Sequence, residues 1–145
     1  MAALNPLPRW QRLGVWGSTV VLAASGLVWL ALHYALGAGA GELPHPLEAW
    51  TMKLHGAAAM ASLFFLGVVA PLHVPRGWRQ AAQRRSGALM LGGMALLVLS
   101  GYLLYYFAPE GLRPFIGNAH AAVGVLIGGV LAWHGGRRAR RQALR

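Results

Sequence analysis

From Asn118 to His134 the chain reads NAHAAVGVLIGGVLAWH, an apolar run with a histidine near each end and no charged side chain. Such a run has no polar face to leave in water, so it cannot fold as the surface helix of a soluble protein. Three other stretches behave alike, and the four lie at about residues 14–36, 47–74, 86–107 and 114–135. Each holds close to the roughly 20 apolar residues that a helix needs to cross a hydrocarbon layer about 30 Å thick. With 57% of 145 residues hydrophobic and 11% charged, little chain is left over for a soluble domain. The expected fold is one all-α domain, an integral membrane four-helix bundle.

A net charge of +10 raises the question of nucleic acid, and the placement of the charges answers it. Arg9 and Arg12 precede the first span, and Arg76, Arg79, Arg84 and Arg85 join the second to the third. Arg137, Arg138, Arg140, Arg141 and Arg145 follow the fourth, so 11 of 13 cations share one side. Lys53, Arg113 and all three acids, Glu42, Glu48 and Glu110, fall toward the other side. The positive-inside rule therefore puts both termini in the cytoplasm, and the basic tail is left to anionic membrane lipid rather than nucleic acid. Ala38-Gly39-Ala40 is like a signal-peptidase site, but the apolar run before it is too long for a signal peptide and is read as a true span.

The chain has no cysteine, which removes disulfides, thiolate metal sites and covalent haem attachment. Histidines remain. His120 and His134 are 14 residues apart, almost four helical turns or about 21 Å of rise, so both rings leave one face. His55 and His73 are 18 apart, five turns or about 27 Å, and also share a face. Ala59, Ser62, Leu66 and Val69 lie between them on that stripe, mostly small side chains that let a flat macrocycle approach. The second and fourth spans run in the same direction. His55 with His120 then forms an outer couple and His73 with His134 an inner one, if tilt or a kink at Pro71 absorbs the difference in rise. Two couples of neutral imidazole at two depths suit the axial positions of two b-type haems, iron included. Lys53 and Arg113 on the outer side, and Arg76, Arg84 and Arg85 on the inner, are candidates to pair with propionates.

The residues WTMKLHGAAAM with a later LH, RRSG before a helix ending SGYLLYY, and NAH with WH together resemble the small dihaem membrane cytochromes b of the cytochrome b561 type. The likeness covers almost the whole chain, although helix 1 lacks the inner histidine that such proteins often carry. It implies electron transfer between membrane quinone or quinol and a periplasmic or membrane redox partner protein. The chain would serve either as a quinol oxidoreductase or as the cytochrome b subunit of one, multi-pass in a bacterial inner membrane. His33, at the outer end of helix 1, is a further cofactor-binding candidate, as a competing ligand or as proton acceptor from quinol. It also suits a helix C-terminus on electrostatic grounds alone. His45 reads as a solvated loop residue. Two other function classes stand beside this one: a histidine-based transporter of protons or a transition metal, and a cofactor-free membrane anchor.

Overall fold

The computed structural model describes residues 7–79 and 84–143, excepting the side chains of 38, 72, 76, 77, 86 and 132–143. The expected all-α class is what it shows. Four long helices, α1 (Arg9–Leu36), α2 (Pro46–Arg79), α3 (Arg84–Tyr106) and α4 (Arg113–Ala143), are joined by short connections, with a 3-10 turn at Ala38–Ala40. All four contain a window long and apolar enough to cross a membrane, so the chain is a multi-pass membrane protein by length and composition. It divides into two compact units, Met1–Arg76 and Gly77–Arg145, the first built on α1 and α2 and the second on α3 and α4.

The helices run further than the apolar runs. α1 begins at Arg9 rather than near residue 14, directly after Pro8, whose carbonyl accepts the first helical bond from Arg12 N–H at 3.1 Å. A proline just outside a helix start sacrifices no helical donor. α2 passes through Pro71 and Pro75 to Arg79, so the segment from Pro75, expected as loop, is helical. The two prolines are four residues apart and lie on one side of the helix. α4 likewise continues about two turns past residue 135 to Ala143.

Burial is inverted relative to a water-soluble protein. Met60, Phe64 and Leu126 are 71%, 63% and 68% exposed, whereas Ser25 and Ser62 are each 4% exposed and Glu48 and Gln11 are also buried. Apolar side chains facing outward over this much surface require lipid around them. The buried hydrophobic residues are small or branched: Ala58, Val69, Ala108 and Ile127. Small and polar residues inside, with large apolar ones outside, are what helix association in lipid selects, since burying leucine there gains nothing over leaving it in acyl chains.

Both units are antiparallel hairpins, the second in constant register and the first so up to its loop end, where Glu48 also reaches Gly37. In the first, Gly14 lies against Phe65, Ser25 and Gly26 against His55, and Gly37 against Glu48. In the second, Gly93 lies against Ile127, Gly124 against Leu97, and Ser100 and Gly101 against His120. A side chain at Gly93 would overlap the Ile127 Cδ1 methyl, while Gly92 beside it has open space. Gly93→Leu is therefore expected to lower the thermal stability of the detergent-solubilised protein by about 1–3 kcal/mol, as overpacking does. Gly92→Leu should leave the melting temperature unchanged.

Candidate functional site

His55 sits in α2, half-buried, with its ring turned onto α1. Its Nδ1 lies 3.0 Å from the Leu22 carbonyl oxygen and 3.3 Å from Ser25 Oγ. A carbonyl oxygen can only accept, so Nδ1 carries the hydrogen. The Ser25 hydroxyl spends its own hydrogen on the Val21 carbonyl at 2.7 Å, which leaves its oxygen to accept from the ring. The neutral imidazole then holds its lone pair on Nε2, the form in which histidine binds a metal while its other nitrogen is fixed by a second group.

His120, in α4, repeats the arrangement against α3. Its Nδ1 is 2.7 Å from Ser100 Oγ, and Ser100 gives its hydrogen to the Leu96 carbonyl at 2.7 Å. With the serine hydrogen on that carbonyl Nδ1 donates, and with it turned to the ring the hydroxyl donates to Nδ1, so the contact holds the ring without by itself choosing the tautomer. In each hairpin the residue after the serine is glycine, and the ring packs on it. A Cβ at Gly26 would come within 3.0 Å of His55 Cε1 and 3.2 Å of its Nδ1; one at Gly101 would meet His120 Cε1 at 3.5 Å. The first site has no room for a methyl group, and the second has just enough.

The repeat extends toward the loops. Eight residues after Ser25 and seven before His55 stand His33 and Glu48, with His33 Nδ1 3.0 Å from Glu48 Oε2. Eight residues after Ser100 and seven before His120 stand Ala108 and Arg113, and Arg113 Nη2 donates to the Ala108 carbonyl at 3.1 Å. Two hairpins with loops of different length thus carry contacts at the same two levels. Glu48 also closes the start of α2: its Oε1 accepts the His45 backbone N–H at 2.9 Å, and His45 Nδ1 accepts from Leu47 N–H at 3.2 Å. This is a capping box with histidine in the N-cap position, so His45 is a helix cap rather than a merely solvated residue.

The remaining candidates are spread over both units. His73 lies in α2 with its side chain exposed. His134 lies in α4, and its side chain falls outside the described residues. Each expected couple, His55 with His120 and His73 with His134, draws one member from each unit. Among the cations, Lys53 Nζ sits 4.5 Å above the Trp50 ring, and Arg84 Nε donates to the Trp78 carbonyl at 2.6 Å. Arg85 is exposed, and the Arg76 side chain lies outside the described residues. Ser62, one heptad along α2 from His55, is buried with a hydroxyl that has no hydrogen-bond partner among the described residues. Among those residues no three His, Cys, Asp or Glu side chains gather as a bare metal ion would need; an axial pair on a haem needs only two imidazoles.

Ser25, Ser100, Gly26 and Gly101 are the site residues that sequence reasoning missed as such. The signal available was a Ser-Gly dipeptide inside an apolar run, at Ser25-Gly26 and Ser100-Gly101, each followed downstream by a histidine in the next apolar run; a third Ser-Gly, Ser86-Gly87, stands instead at the basic start of α3. No known protein family, curated protein or solved structure matches this chain.

The ring contacts predict a state that spectroscopy can read. In protein labelled with 15N-histidine and prepared without added cofactor, the ring shifts of His55 should report an Nδ1–H ring. Ser100→Ala should change the ring shifts of His120 and leave His55 unchanged.

Proposed function

We propose that this chain is a transmembrane electron carrier, a dihaem cytochrome b working between the membrane quinone pool and a redox partner protein. The observation that carries the reading is the repeated ring contact: in each hairpin an imidazole is held at Nδ1 by the neighbouring helix, His55 by the Leu22 carbonyl and Ser25 and His120 by Ser100, and we take Nε2 as the nitrogen turned to a metal. A histidine serving only to pack helices has no need of a ring held at Nδ1, and two held alike suit the two axial positions of one haem. His55 and His120 are the proposed ligands of that haem. His73 and His134 are proposed for the second haem, on the strength of their faces and of the 14-residue spacing from His120. Bound haem supplies reversible one-electron chemistry at iron, which no side chain of this chain can provide.

The protein's own contribution is orientation and polarity. Ser25 and Ser100 fix the ring planes, and their acceptance of Nδ1–H raises the basicity of Nε2. Gly26 and Gly101 give the rings room. Ser62, with an unused hydroxyl on the His55 face, keeps that face polar enough for a cofactor edge. The outward leucines, valines and aromatics hold water away. The distribution of arginines supports cytoplasmic termini, and on that reading His55 and His120 belong to the outer-leaflet haem; a bacterial inner membrane is part of the proposal.

The deciding measurement is the reduced-minus-oxidised absorption spectrum, with haem stoichiometry, of protein expressed with ample iron and porphyrin. His55→Ala and His120→Ala should each remove the same one of two haems, and His73→Ala and His134→Ala the other. A colourless wild-type protein would leave the anchor and transporter readings in possession. Gly26→Ala should weaken retention of the outer haem while Gly101→Ala keeps it. Ser100→Ala should hold its haem with a raised midpoint potential, because a less basic imidazole stabilises the ferric state less.

A further inference from the structure

We propose that the groove between α3 and α4 holds an acyl chain of an anionic phospholipid from the leaflet on the arginine side of the membrane, with the lipid phosphate at Arg84 and Arg85; nothing in this depends on the electron-carrier reading. The groove has a volume of about 650 Å³, within the roughly 300–1,000 Å³ of small-molecule sites. Its α3 wall is Ala88, Leu89, Gly92, Gly93 and Leu96, and Val123 and Leu126 of α4 stand opposite. No polar side chain lines it, and its leucines are exposed.

The same groove is cut in the first hairpin. There the α1 wall is Leu13, Gly14, Gly17, Ser18 and Val21, identical in spacing, and it ends four residues before Ser25 as the other ends four before Ser100. Ala58 and Ala61 stand three and six residues after His55, as Val123 and Leu126 do after His120. An accidental gap in the packing has no reason to recur at matching positions of two hairpins whose loops differ. The first copy is smaller, about 340 Å³, because the Phe65 ring lies against Gly14 and takes up part of the space. Gly17 and Gly92 hold the same place in the two walls, and a Cβ at either would meet open space.

Charge and length identify the occupant. Arg84 and Arg85 precede Ala88 and Leu89 by four residues, so they stand one turn before the groove on the same face, and Arg9 stands likewise before Leu13. Both α3 arginines are exposed, and Arg84 is steadied through Nε on the Trp78 carbonyl at 2.6 Å, which leaves its terminal nitrogens for an anion. No acid occurs in α3 or in the connection before it. Anionic lipid is the negative charge of the cytoplasmic leaflet, the side to which the positive-inside rule assigns these arginines. From Ala88 to Leu96 the groove rises about 12 Å, close to the roughly 15 Å of hydrocarbon in one leaflet, and at its far end Gly124 meets the Leu97 side chain. A partner helix would need a groove through both leaflets. A haem would need an imidazole, and no histidine lines either groove.

The test titrates the full chain in detergent with dioleoylphosphatidylglycerol or dioleoylphosphatidylcholine and reads bound lipid by native mass spectrometry. In parallel, a phosphatidylglycerol with a diazirine in its acyl chain is photo-crosslinked in nanodiscs and mapped by peptide. Wild type should prefer phosphatidylglycerol over phosphatidylcholine by about tenfold or more, and the label should fall on residues 88–96 and 123–127. Gly92→Leu, which fills the groove, should abolish this binding, and Gly17→Leu, the same change in the first hairpin, should leave it. Replacing both arginines, Arg84→Gln with Arg85→Gln, should weaken it about tenfold or more. Equal binding of the two lipids, undiminished binding in Gly92→Leu, or a label spread over all four helices would each overturn the proposal. So would a Gly92→Leu protein that loses haem or falls from dimer to monomer, which would give the groove to a porphyrin or to a second copy of the chain. The crosslink map needs no variant, and it decides the matter should one fail to fold.

Discussion

A hydroxyl has one hydrogen to give, and in this protein two serines give theirs to the carbonyl four residues back in their own helix. Each serine oxygen then stands beside the imidazole across the hairpin and holds it at Nδ1, with the Leu22 carbonyl taking the Nδ1–H of His55 as well. In lipid no water competes for these groups, so the bond is stronger and its loss more damaging than at a soluble surface. A serine in an apolar helix that back-bonds to its own turn is ordinarily of little consequence beyond a slight bend. Here that habit sets the serine oxygen against a neighbouring ring and fixes where the ring sits.

The same residues hold the hairpins together. On α1 the polar positions Gln11, Ser18 and Ser25 recur every seven residues, and on α2 Glu48, His55 and Ser62 do the same. A seven-residue repeat keeps one seam of a helix facing its partner, as in coiled coils, but this seam is polar and small where a soluble one is leucine-rich. α3 and α4 keep the spacing with Gly93 and Ser100 against Ile127 and His120. Packing and proposed chemistry therefore draw on one set of positions, so a substitution at Ser25 or Gly26 perturbs the helix contact and the ring together.

Much of this was legible in the sequence. Four apolar runs fixed the number of helices, because their length leaves no other way to satisfy the backbone in lipid. The 14- and 18-residue spacings placed histidines on common faces through helical periodicity alone. Helix ends were less legible, since Pro8, Pro71 and Pro75 read as breakers while only their positions relative to the turn decide what each one does. Register was the missing piece. Nothing local tells that Ser25 meets His55 across 30 residues while Ser100 meets His120 across 20, since the two loops differ in length. For the same reason His33 could be assigned by its helix end but not given Glu48 as its partner.

The two hairpins agree at the ring level and part company at the loop level. The first pairs His33 with Glu48 there. The second has Arg113, already cationic and bound to a carbonyl, which cannot take a proton and repels one nearby. That same fixed charge suits an anionic group such as a haem propionate. One architecture used twice thus carries an acid–base pair at the loop end of one copy and a fixed cation at the same level of the other.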